Sequence, residues 1–226
     1  MRFFLIIYLL VSSTLYSIEL LPGYHFSATL PFYTGTGFSE EYFDQLISEG
    51  FYDISNNPKL SMSFGVSFSF KISDSFFLQP ELNINSNGGG VSGKNSDGED
   101  FTYLFDERTV EIPLLIKLKI PLESRTLTLL AGPGLSMLVE TPEIKKIVGY
   151  TFDTVGLSRD DFNFLGILLT TGIGYEIPFN NGILYLEGRY SYEITDTVKT
   201  YSGSFRQNCI SLVLGYSLKL EDKVEK

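Results

Sequence analysis

The 226-residue chain has no tryptophan, one cysteine, Cys209, and one histidine, His25. A lone cysteine excludes an internal disulfide framework and any cysteine-based zinc site, and a lone histidine excludes paired-histidine metal motifs. Positive charge is scarce too: 17 Lys and Arg stand against 27 Asp and Glu, a net charge of −10. That balance argues against a nucleic-acid partner, which requires a basic stripe. Long apolar runs are also missing. The longest, Phe3 to Val11, falls well short of the ~20 residues of a membrane-spanning helix. With Arg2 before it and Ser12, Ser13 and Thr14 after it, this run reads as the core of a signal peptide over residues 1–17, cleaved after Ser17. No cysteine lies near that point to carry a lipid anchor.

What the chain does have is Phe and Tyr, 19 and 14 of them, and a period of two. From Leu60 to Ile72 the even positions are Leu, Met, Phe, Val, Phe, Phe and Ile, and the odd positions are Ser, Ser, Gly, Ser, Ser and Lys. Successive side chains of a strand point to opposite faces, so this segment has one apolar face and one polar or small face. The split recurs over 183–195 and 208–220. Turn signals between such segments predict eight strands, at 20–33, 60–72, 76–86, 108–120, 126–139, 164–177, 183–195 and 208–220. The near-zero mean hydropathy of +0.09 is therefore an average over two unlike faces.

Connections alternate as regularly as residues do. Those at 73–75, 121–125 and 178–182 are short, whereas 34–59, 87–107, 140–163 and 196–207 are long. Short turns at one end and long loops at the other describe an outer-membrane barrel, predicted here to occupy residues 18–220 with a charged tail at 221–226. A membrane barrel turns its apolar face to lipid and keeps its interior polar; a soluble ligand-binding barrel does the reverse. On the polar faces lie His25, Lys71, Lys119, Lys219 and a mixed-sign set: Glu81, Glu111, Lys117, Glu176, Glu187 and Arg189. Such a set either selects ions in a narrow pore or pairs internally. Eight strands enclose a space that side chains can just fill, which favours an ion-paired lumen. Pro80, Pro113 and Pro133 fall inside predicted strands, where bulges or strand ends are expected.

Several phrases, FFLQPELNI (76–84), VEIPLLIKLKI (110–120), LLAGPGLSML (129–138) and LGYSLKL (214–220), resemble the outer membrane β-barrel family that includes PorT-like proteins, with a general likeness to small OmpA- and OmpX-type barrels. The resemblance covers about residues 20–220 and implies an all-β, eight-stranded antiparallel up-and-down barrel in the outer membrane. The spaced Gly215, Leu218 and Leu220 look like the signal read by the barrel-assembly machinery. For the PorT-like members the resemblance implies an accessory role in protein secretion.

Other motifs tempt without completing a site. GGGVSGKN (88–95) has the spacing of a phosphate-binding loop, but Asn95 stands where Ser or Thr would reach magnesium. It reads as a flexible loop tip. NSDGED (95–100) lacks the full spacing of a calcium loop. His25 with Ser27 and Glu187 could form a hydrolase triad, yet no nucleophile context surrounds Ser27, and Cys209 reads as a packing residue. No cofactor, metal or catalysis is expected.

In the first long loop, Ser39 is predicted to cap a short helix that Gly50 ends, with Phe38 and Phe43 as its staple. Phe43, Leu46 and Ile47 then share a face that packs on the barrel rim or awaits a partner. The expected role is structural or interactive, through acidic surface loops 34–59, 87–107 and 140–163 facing an external ligand or protein, with lipid around the wall. A passive channel, a secretion accessory and a soluble periplasmic barrel remain the alternatives.

Overall fold

A computed structural model describes residues 20–140, 143–148, 151–156, 159–199 and 202–219. The predicted signal peptide and charged tail lie outside them. Among the described residues eleven strands form one antiparallel sheet: β1 (Leu20–Thr34), β2 (Tyr52–Asn56), β3 (Ser61–Lys71), β4 (Phe76–Lys94), β5 (Asp100–Leu122), β6 (Arg125–Leu138), β7 (Glu143–Val148), β8 (Thr151–Gly156), β9 (Leu165–Phe179), β10 (Gly182–Glu193) and β11 (Arg206–Leu218). Eight of these close a ring in the order β1, β3, β4, β5, β6, β9, β10, β11 and back to β1. They are the eight predicted strands, with β4 and β5 extended far into what the sequence suggested was loop.

The outward face is apolar. Met62 is 74% exposed and Phe26 60%, while inward-pointing Lys117 and Glu187 are 1% and 0% exposed. An exposed apolar band all round the ring is tolerated only where the surrounding medium is itself apolar, so the soluble-barrel alternative falls. At one end of the ring the connections tighten further than predicted. Pro121 and Pro178 are paired strand residues, leaving two-residue turns at 123–124 and 180–181. Glu123 and Asn180 adopt positive φ there, the backbone hand that matches strand twist in tight hairpins.

The prolines correct a second expectation. Around Pro80 and Pro113 the ladders skip two residues on each strand and resume in the same register: Pro80 pairs with Leu114, and the next pair is Asn83 with Glu111. Likewise Pro113 pairs with Gly134, then Ile116 with Ala131. Missing donors interrupt the hydrogen bonding without inserting a residue, because a bulge in a closed ring would turn the strand's apolar face inward.

At the other end the structure builds a cap. Beyond the ring, β4 and β5 continue as a paired ribbon to a turn at 95–99, where Asn95 Oδ1 accepts from the Asp97 and Glu99 amides. The glycine-rich 88–94 segment is thus strand, not loop tip. β2 joins the β4 edge of this ribbon; β7 and then β8 join the β5 edge. Against the sheet lies a helical segment, a π-helical stretch Gly37–Tyr42 running into α1 (Phe43–Ser48). It begins two residues before the predicted cap: Ser39 sits inside it, with its hydroxyl donating to Gly35 O. Gly50, at φ +93, ends the helix as predicted. Tyr33, Phe38, Tyr42, Leu46, Val91, Phe101, Tyr103, Phe105 and Phe205 form its buried core.

Candidate functional site

The lumen is stacked in layers. At its middle, Arg189 from β10 reaches across to β4: Nη1 and Nη2 donate to the two Glu81 oxygens at 2.7 and 2.8 Å. The same guanidinium donates to Glu187 Oε2 from Nε at 2.8 Å and Nη2 at 2.5 Å, and Lys117 from β5 pairs with Glu187 Oε1. Two carboxylates and two cations balance, with side chains at most 6% exposed. Buried charges are tolerable on such terms, paired and multiply hydrogen-bonded. Gln79 adds a donor to Glu81 at 2.6 Å.

Of the six residues singled out in the sequence, the structure therefore brings four together. Glu176 forms a separate pair with Lys119, at 2.8 Å, toward the short-turn end. Glu111 stands apart, making no ion pair among the described residues. Lys71 pairs with Asp74 at the turn, and Lys219 is exposed beyond β11. Sequence alternation gave each residue its face but not its height along the barrel, and height decides which charges meet.

His25 completes the layer. Its Nε2 lies 2.9 Å from Asn83 Oδ1 and its Nδ1 3.3 Å from the Tyr185 hydroxyl, a pattern that assigns the proton to Nε2. Ser27 bonds instead to Ser63 and Thr29, and Glu187 is held by the cations. The candidate triad is not assembled. Gly65 and Gly215 give His25 and Tyr185 their room, since a Cβ on either would overlap those side chains. Cys209 is buried on the inner face.

Above this layer are two small cavities of about 30 and 40 Å³ that share Glu111, Ser191 and Cys209. Each has room for roughly two or three waters. Higher still, the Tyr33 hydroxyl donates to Glu107 Oε1 at 2.5 Å and Gln207 Nε2 to Oε2 at 3.0 Å. Directly on Tyr33 sit the rings of Phe38, Phe105 and Phe205, with centroids 5.6, 5.3 and 5.2 Å away. The predicted stripe divides at this point: Leu46 is buried in the cap core, Phe43 packs beside it, and Ile47 remains 57% exposed. The predicted helix marked Phe38 and Leu46, but nothing in the local sequence joins them to the rest of this core, whose members come from five separate segments.

A carboxylate fastens the helical segment to the β10–β11 loop. Glu41 accepts from the Ser202 hydroxyl at 2.6 Å, the Ser202 amide at 2.9 Å and the Gly203 amide at 2.7 Å. The Ser202 hydrogen bonds hold the Glu41 carboxyl below its usual range of about 4.5. A lowered folded-state value means the contribution is complete above pH 4.5 and is lost as the pH falls through the depressed value. Amide protection factors across residues 37–42, each corrected for the intrinsic exchange rate at that pH, are accordingly expected to fall on acidification below pH 4.5 in the wild type. In Glu41→Gln the corrected protection should not change with pH over that range.

A ring of eight antiparallel strands with an apolar exterior and an ion-paired interior defines a transmembrane β-barrel. Residues 23–199 match the family model described as outer membrane protein beta-barrel domain. The chain belongs to this family, and membership implies an outer-membrane location. The match stops short of β11, the strand that closes the ring. No curated protein sequence matches the chain. Among solved structures it is similar to OprG from Pseudomonas aeruginosa (8% identity, 90% of this chain and 96% of that one, TM-score 0.48). It is also similar to Neisserial surface protein A (12% identity, 88% and 97%, TM-score 0.39) and to Ail of Yersinia pestis (13%, 88% and 98%, TM-score 0.34).

Proposed function

We propose that this protein is a non-conducting, non-enzymatic barrel, exported by its N-terminal signal, that serves as a rigid membrane mount for an extracellular interaction module, the cap. In outer-membrane barrels the short turns face the periplasm and the long connections face outward, which puts the cap on the cell surface. The observation that carries the reading is double closure of the lumen. Among the described residues an ion-paired layer crosses its middle and an aromatic core seals its mouth, with two water-sized cavities between. A solute pore needs neither.

Lack of catalysis is supported by the hydrogen-bond pattern: His25 is held between the Asn83 amide and the Tyr185 hydroxyl, and among the described residues no serine, threonine or cysteine side chain hydrogen-bonds to it. For the interaction role, the cap supplies the acidic loops 34–59, 87–107 and 140–163, with Ile47 and Tyr52 exposed among the carboxylates Asp44, Glu49 and Asp53. Purified protein reconstituted in a planar bilayer is expected to give no discrete conductance steps. Reproducible openings would replace this reading with the channel.

A further inference from the structure

We propose that the Glu107 carboxyl is a proton-operated latch for the cap: with its proton it fastens the aromatic core to the barrel mouth, and without it the cap lifts. The inference rests on the reading of the cap as the interaction module and names how that module is regulated.

Glu107 points inward from β5 and is 4% exposed. Its neighbours on the strand point outward and are charged: Asp106 is held between Lys59 and Lys145, and Arg108 donates to Glu140 at 3.0 Å. Charged side chains on the outer wall set this height above the apolar band, which Ile112, Leu114 and Ile116 continue lower on the same face. Glu107 therefore lies at the seam between barrel and cap. Tyr33 donates to one of its oxygens and Gln207 to the other. The rings of Phe38, Phe105 and Phe205 rest on that same Tyr33. One residue thus joins the carboxyl below to the aromatic core above.

Every group that faces this carboxyl is neutral or acidic. Tyr33 comes from β1, Asn87 from β4, Gln207 and Cys209 from β11, Glu193 from β10 and Glu111 from β5 itself. The helical segment adds Phe38 and Tyr42 to the core above. Glu107, Glu111 and Glu193 line one cavity of about 30 Å³, with no Lys, Arg or His in its lining among the described residues. The nearby cations are engaged elsewhere: Arg206 by Asp196 and Tyr192, Lys59 and Lys145 by Asp106, and Arg189 by the layer below. Glu81 and Glu187 have cations in that layer; Glu107 has none. A buried carboxylate without a cation is far costlier than the neutral acid. Burial accordingly raises the Glu107 carboxyl to about 7. With its proton on, the acid still accepts from Gln207 and shares a hydrogen bond with Tyr33, whose hydroxyl both donates and accepts.

Once ionised, Glu107 faces Glu193 across a closed cavity, and only water relieves it. Water reaches it when Tyr33 and the rings above lift from the mouth. With the cap lifted, the carboxyl regains its ordinary value near 4.5. A raised value in the latched state means that the contribution is complete below pH 4.5 and is lost as the pH rises through about 7. Glu41 acts in the opposite sense, weakening below pH 4.5. Together the two carboxyls leave the cap most ordered in mildly acidic surroundings.

The test is amide exchange of the full-length protein in lipid nanodiscs at pH 5 and pH 8, with protection corrected for the intrinsic rate at each pH. Protection across residues 37–48 is expected to fall at least tenfold from pH 5 to pH 8, while that of residues 114–120 in the wall stays constant. Glu107→Gln keeps the shape and cannot ionise, so its cap protection should be the same at both pH values. Constant protection in the wild type, or an equal fall in Glu107→Gln, would each overturn the proposal; the second would move the switch to another group. Heat-modifiable gel migration checks that the variant forms its barrel. Infrared spectra of the wild type test the latch without any variant: a protonated-carboxyl band should disappear between pH 5 and pH 8 in step with cap protection, and its absence at pH 5 would overturn the proposal. Planar-bilayer conductance reads the ion-paired layer below, so the non-conducting reading stands or falls separately.

Discussion

Replacing Arg189 with methionine is expected to lower the unfolding free energy of the barrel by about 3–5 kcal/mol, the range for stripping one partner from a buried ion pair. The magnitude follows from the geometry of the layer. Glu81 and Glu187 have no side-chain exposure, and the guanidinium supplies four hydrogen bonds to them. Without it, Glu187 keeps Lys117 but Glu81 keeps only Gln79, Asn83 and the nearby His25 imidazole. The residue left behind, more than the pair lost, sets the cost. For that reason the charge-balanced double variant Glu81→Gln/Arg189→Gln should recover a large part of the deficit, since the Lys117–Glu187 pair survives it. Urea unfolding in lipid vesicles, read as a double-mutant cycle, measures both. Equal losses in the single and double variants would show that the layer's packing, not its charge balance, supports the barrel.

Truncating Phe205 should produce an effect of similar size in a different place. Phe205 is 2% exposed and packs against Tyr33, Phe38, Tyr42 and Phe105. Removing a buried aromatic side chain costs about 3–5 kcal/mol. Here the loss falls on the cap, whose contacts with the ring run through Tyr33 and the β4–β5 ribbon. Phe205→Ala is expected to leave heat-modifiable migration of the barrel intact. Protease cleavage and amide exchange across 36–51 should accelerate by two orders of magnitude or more, because each 1.4 kcal/mol is a factor of ten when local opening limits the reaction. Simultaneous loss of barrel and cap would mean that the two fold as one unit. A small change confined to residue 205 would mean that the aromatic core does not hold the cap.

The two variants also mark where sequence reasoning reached. The strands in which Glu81, Lys117, Glu187 and Arg189 sit were legible, as was the face each residue occupies, because a period of two is a property of the extended chain itself. That Arg189 meets Glu81 rather than Glu111 or Glu176 was not. The two are 108 residues apart, and their contact depends on how far each strand slides past the next around the ring. The cap was less legible still. Val91, Phe101 and Phe205 lie in segments whose Gly, Ser, Asn and Asp content reads as loop, Phe38 reads only as the staple of a short helix, and their joint burial exists only once four connections converge over one barrel mouth. The glycine run 88–90 looked flexible. In the structure it is the part of β4 that passes close under Tyr33 and the β5 backbone, a use of glycine that only the neighbouring strand reveals.

By itself the sequence determined what is local: strand positions, the apolar and polar faces, the alternation of tight turns with long connections, and the lack of paired cysteines or histidines for a disulfide framework or a thiolate or histidine-pair metal site. Each of these follows from the geometry of a few consecutive residues. Tertiary structure alone decided which charges pair, that the prolines interrupt bonding without shifting register, and that three of the long connections contribute strands to a cap. These are consequences of closure. A ring fixes the relative heights of all its strands together, and no stretch of chain carries the height of a strand that it has not yet met.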